Sequence, residues 1–292
     1  MRHTIKYNLK KGQFLFKEFI KTSPKIKLKI SDCSTISGFS YKKTGWHHLI
    51  KLCEELDFEN NLTLEKSILY KFHEQFQPKD NTELVKHNNV NVRFKPPFGI
   101  FPWADFGINQ HINLDFTTRN KLKNSLQDYC YTCQNFVKKE FMGDCPGCGT
   151  KTSDFPHGSF CGPSSLVFLA ERFNVFKKIY SSIKLNGYQR FLAQHPNTPH
   201  GLVGGTILKR IDGSKRFVVQ QGNHRLAVLA HLGYDVVDVG FVKGKYKVIN
   251  EKELEDWHYV KNKQCSCEDA HLYFNSFFEL DGTEIAKRIN LI

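Results

Sequence analysis

The stretch FVVQQGNHRLAVLAHLGYDVVDV, residues 217–239, admits few folds. Phe217 to Gln220 reads as the end of a strand, Gly222 as a turn, and Arg225 to Leu232 as a short helix stopped by Gly233. Val236 to Val242 reads as the next strand. A helix that opens directly on such a turn aims the N–H groups of its first turn at one spot, which suits an anion. Gly222 lets the backbone approach that anion, Arg225 can fork onto phosphate oxygens, and Asn223 and His224 add donors. Upstream, Thr206-Ile207-Leu208-Lys209, the turn signal Asp212-Gly213 and a return strand Arg216–Gln220 predict a hairpin that feeds the turn.

The cysteines form a second constellation. Cys130-x2-Cys133 and Cys145-x2-Cys148 are separated by 11 residues. Each pair can point two thiolates at one ion, and two pairs complete a closed tetrahedral Zn2+ shell, structural rather than catalytic. Gly147 and Gly149 flank the last ligand, where a tight knuckle favours glycine. These residues resemble a zinc ribbon. His157 and Cys161 are the alternative ligands nearby, and Cys265-Ser266-Cys267 reads as unconnected thiols or a second metal site.

Apolar periodicity places the remaining elements. Lys25 to Ile30 alternates with a strand period, and Trp46, Leu49, Ile50, Cys53 and Leu56 fall on one helical face. A second helix is predicted over Thr63–Gln75. A long one follows Gly162-Pro163-Ser164-Ser165, with Leu166, Leu169, Phe173, Phe176, Tyr180 and Ile183 as its stripe and Gly187 as its stop. FKPPFGIFPW, residues 94–103, breaks regular structure and marks a boundary. The tail from Glu251 reads as helix plus loop.

The net charge of +13 is unevenly spread: residues 1–50 hold 11 basic side chains against two acids, and the remainder 31 against 27. Such an arm attracts nucleic acid, acidic lipid or another anionic substrate, or forms a solvated lysine-rich surface. No stretch reaches the roughly 20 apolar residues that span a bilayer. The N-terminus lacks the apolar core of a secretory signal, and clustered cysteines suit a reducing compartment, so a cytoplasmic location is expected.

Over about residues 178–245 the chain resembles the ParB/sulfiredoxin superfamily, in which a G-x-x-R turn binds nucleotide phosphates. Gly222 and Arg225 match its free-serine-kinase (D-G-H-H-R), sulfiredoxin (G-C-H-R) and partition (G-E-R-R) branches, and His224 matches the first two. The resemblance implies an α+β fold with a ParB/sulfiredoxin-like nucleotide-binding module over residues 161–250; composition sets off a basic mixed α/β N-terminal region over 1–98, a zinc-ribbon segment over 99–160 and a C-terminal helix and tail over 251–292. The resemblance also implies ATP or another nucleotide, with Mg2+, on Gly222, Asn223, His224 and Arg225. Asn223 replaces the reactive cysteine of sulfiredoxins, which argues against sulfinic-acid reduction. Gln221 replaces the catalytic aspartate of the kinases and cannot serve as a general base. Glu171, Asp212 and His224 are the candidate catalytic residues. Three activities follow: an ATP-dependent phosphotransferase or nucleotide hydrolase, a ParB-like nucleic-acid-binding or nuclease protein, and a catalytically silent nucleotide sensor. No helix-turn-helix pattern follows residue 245, which weighs against the second.

Overall fold

The computed structural model of the chain describes residues 26–35, 37–76, 127–130, 135–138, 166–188, 202–241, 248–261, 263 and 266–292. The fold is α+β, built on a mixed six-stranded sheet. Its centre is the hairpin of β5 (Val203–Lys209) and β6 (Lys215–Gln221), with Gly213 at φ 87° in the turn, as Asp212-Gly213 predicts. β7 (Val236–Phe241) and β8 (Val248–Asn250) both run parallel to β5, pairing with its first and last halves. β1 (Ile26–Lys29) joins β7 antiparallel, and β2 (Cys33–Thr35) joins β6 parallel. The sheet therefore draws strands from both sides of the proline-rich stretch, and is not confined to residues 161–250.

Val203 to Leu208 and Arg216 to Val219 are buried without alternation, the mark of strands covered on both faces. Over β5 lies α4 (Asn223–His231), whose Arg225 to Ala230 are all buried. It packs between α1 (His48–Phe58) and α3 (Leu166–Asn186), and α2 (Ile68–Gln75) packs on both of these. The predicted stripe of α3 is buried at Leu169, Phe173, Phe176, Tyr180 and Ile183, and Gly187 at φ 68° ends the helix. α1 and α4 run side by side in the same direction. His47 and His224 interact electrostatically at their N-terminal ends, and Asp57 and His231 meet at their C-terminal ends. α3 shares that direction, since Phe176 meets His224 while Lys184, two turns on, reaches Asp57.

Some boundaries differ from the sequence expectation. α1 begins at His48, because the Trp46 N–H is held by the Asp281 carbonyl (3.0 Å) and His47 caps the helix. α2 begins at Ile68 and not at Thr63: the Ser67 hydroxyl accepts the Tyr70 N–H, and the Glu55 carboxylate accepts the Ile68 N–H at 2.8 Å. The tail is more than helix plus loop. A 3-10 segment (Glu251–Asp256) leads to α5 (His258–Lys261), α6 (Cys267–Glu279) and α7 (Thr283–Arg288), burying Trp257, Tyr273, Phe274 and Phe277. α6 packs on β6, and the Arg216 guanidinium donates to the Phe278 and Ser31 carbonyls. Separately, β3 (Gln127–Cys130) and β4 (Asn135–Lys138) form an antiparallel hairpin with Cys130 in register with Asn135.

Candidate functional site

Pairing directions decide what meets at the end of the sheet. β2 and β6 are parallel and β5 is antiparallel to β6, so one edge carries the C-terminal ends of β2 and β6 and the start of β5. The turn Gly222-Asn223-His224-Arg225 lies there.

Gly222 has φ 88° and ψ 18°, a conformation that costs an L-residue about 1–2 kcal/mol. It occupies the N-cap position of α4, with no side chain capping the helix. A Cβ at this position would stand 3.1 Å from Arg225 Nη2 and 3.3 Å from Val203 Cα. The missing side chain therefore lets Arg225 fold back against the start of β5, where it donates a long bond (3.4 Å) to the Leu202 carbonyl.

The segment after β2 supplies the opposite wall. Burial holds the Tyr41 phenol well above its ordinary range, so its hydroxyl keeps its proton and donates to Asn223 Oδ1 at 2.7 Å. The amide NH2 of Asn223 is left as a donor. The Tyr41 ring lies 4.6 Å from that of His47. His47 is 1% exposed; its Nδ1 accepts the Leu49 N–H, so the neutral ring carries its proton on Nε2, which has no hydrogen-bond partner among the described residues. Gln221 Oε1 is likewise buried, with no partner among the described residues. From α3, Phe176 presents its ring edge-on to His224 at 5.5 Å.

Electrostatics give the site its sign. Desolvation pushes His224 down to about 3, and the Arg172 and Arg225 guanidiniums push the same way. Burial, reinforced by His224, takes His47 to about 3, and His48 is also held well below the ordinary histidine range. The imidazoles are neutral at pH 7, and both charges that act on His224 are cationic. A positive potential beside a helix N-terminus favours an anion.

Gly222, Asn223, His224 and Arg225 thus stand together, but the Asp212 carboxylate does not join them. Asp212 lies in the hairpin turn, bonded to the Ser214 N–H at 2.7 Å. The seven residues of β6 separate it from Gly222, about 20 Å at roughly 3.3 Å per residue. Glu171 neighbours Arg172 on the exposed flank of α3 and acts electrostatically on that guanidinium, one of the two that act on His224. An imidazole held near 3, as His224 is, makes a weak base at neutral pH. Tyr41, His47 and Arg172 are the site residues that sequence reasoning missed. Tyr41 lies 182 positions from Asn223, and only the paired histidines at the head of a predicted helix hinted at a special position.

No group of three or more His, Cys, Asp and Glu able to hold a metal occurs among the described residues. Cys130 ends β3, whereas Cys133, Cys145, Cys148, His157, Cys161 and Cys265 lie outside the described residues, as do residues 1–25 of the basic arm. No helix among the described residues is long and apolar enough to cross a membrane. Comparison with protein-family models, curated proteins and solved structures finds no match.

Proposed function

We propose that the chain is a nucleotide-binding protein of ParB/sulfiredoxin-like type, with the phosphates held by Gly222, Asn223, His224 and Arg225. The observation that carries this reading is the uncapped N-terminus of α4 opening on a glycine turn, beside a histidine whose charged neighbours are two arginines. Binding needs only donors and positive potential, and the turn supplies both. The activity that accompanies this reading is ATP-dependent phosphotransfer or nucleotide hydrolysis, with Mg2+ carried in on the phosphate oxygens. That step also needs a base, and Gln221 and the remote Asp212 favour a second reading, a nucleotide sensor without turnover.

The β3–β4 hairpin supports a structural zinc ribbon, because it sets Cys130 at the end of β3 and four thiolates are a fitting donor set for Zn2+. Elemental analysis would then find one zinc per chain. A nucleic-acid-binding role rests on the basic residues 1–50, and calls for affinity that falls steeply with salt.

Calorimetry with ATP, CTP and GTP, each with Mg2+, tests the central reading. Saturable binding of at least one supports it, and phosphate release in the same samples separates enzyme from sensor. Failure of all three to bind overturns the reading.

A further inference from the structure

The anion site described above has one helix end, yet a second points at the same place. α1 and α4 pack side by side in parallel, with His47 at the N-cap of one and His224 in the first turn of the other. Tyr41 ties the two ends together, its ring against His47 and its hydroxyl on Asn223. Each helix N-terminus carries about half a positive charge, and parallel neighbours add theirs at one spot. His47 spends Nδ1 on the cap of α1, which leaves Nε2–H as a buried donor with no acceptor among the described residues. Burying such a donor is costly unless something accepts from it.

We infer that His47 is a second phosphate ligand, donating from Nε2 to a further phosphoryl group of the molecule anchored at Gly222–Arg225. The site then takes a diphosphate or triphosphate chain in preference to a monophosphate. This rests on the reading of the turn as a phosphate site, and it adds a ligand from the N-terminal part of the chain, outside residues 178–245. Two adjacent positive helix ends are matched by a polyanion, whereas a single phosphate would leave one of them without a counter-charge.

The test is calorimetry of inorganic phosphate and pyrophosphate against wild-type protein, His47→Asn and Arg225→Lys. Asn retains a side-chain oxygen to cap α1 but is too short to place a donor where Nε2 stands. Wild-type protein should bind pyrophosphate at least tenfold more tightly than phosphate. His47→Asn should lose about tenfold in pyrophosphate affinity and little in phosphate affinity, consistent with one charge-assisted hydrogen bond. Unchanged pyrophosphate affinity in His47→Asn, with Arg225→Lys weakened, overturns the inference and leaves the turn standing. If wild-type protein binds neither anion, the reading of the turn fails as well. Should His47→Asn not fold, the imidazole resonances of wild-type His47 decide. A downfield Nε2–H shift on adding pyrophosphate supports the ligand role, and an unmoved one contradicts it.

Discussion

Arg225 is the residue on which the site turns. It is 8% exposed, and its guanidinium occupies space that any Cβ at position 222 would contest. A guanidinium can fork onto two phosphate oxygens, an ammonium cannot. Removing one charged hydrogen-bond partner costs about 1.5–3 kcal/mol, so Arg225→Ala should weaken nucleotide binding by roughly 10- to 150-fold, and Arg225→Lys should recover only part of it. Arg225→Ala also deprives the Leu202 carbonyl of a donor, so the Lys variant is the control for folding. Equal affinities across the three proteins would mean that the turn is only a connection. The four residues of the turn were legible because glycine, donors and a helix start coincide within a few positions. Tyr41 and His47 were not, since their roles come from tertiary pairing of β2 with β6, and three residues reading Cys-Ser-Thr announce no strand.

Among the elements, α1, α3 and α4 share one direction, which gathers their negative ends as well as their positive ones. A hydrogen-bonded cluster with one lysine gathers there: Asp57 of α1 accepts from Tyr180 and Lys184 of α3 and bonds His231 of α4 at 2.6 Å. These donors, Lys184 first, hold the Asp57 carboxyl well below its usual range. Its side chain is 34% exposed, so water and salt screen the network. Asp57→Asn should therefore cost only about 0.5–1 kcal/mol, and the difference should shrink in high salt. Urea melts at low and high ionic strength measure it, and identical midpoints at low salt would show that the clamp contributes nothing. Helix identities were plain from apolar spacing, as in the stripe from Leu169 to Ile183. The start of α2 was not, because its first N–H is satisfied by Glu55 from a neighbouring helix, a tertiary cap invisible to local pattern.

For the whole molecule, the imidazoles near the site dictate a response to acid. His47 and His224 titrate at about 3 in the folded chain and near 6.5 when unfolded. Between those values the unfolded state binds protons that the folded state refuses. Stability is thus fully present above about pH 6.5 and is lost as pH falls towards 3. His48 acts in the same sense, and Arg172 and Arg225 add to the cost of charging His224. The depressed Asp57 begins to lose its contribution as pH falls through the usual carboxylate range, about 4, and loses the remainder at lower pH. Urea midpoints from pH 7.5 to 4.5 should fall, with a shallower fall in His47→Asn; a flat profile would contradict the buried, neutral histidines. At this scale the sequence was least informative. Division by composition separated residues 1–98 and 251–292 from the sheet, yet β1, β2 and α6 pack into it. Phe274 and Phe277, unremarked in a tail of mixed composition, help to close the core.

The most direct test follows the backbone N–H groups of the turn. In 1H–15N correlation spectra, titration with Mg2+ complexes of ATP, CTP and GTP should shift the Asn223 and His224 amides downfield and saturably with at least one nucleotide, as expected for N–H groups donating to phosphate at a helix N-terminus. Amides of the turn that stay fixed while a nucleotide binds elsewhere, or a spectrum unchanged by all three, would contradict the account.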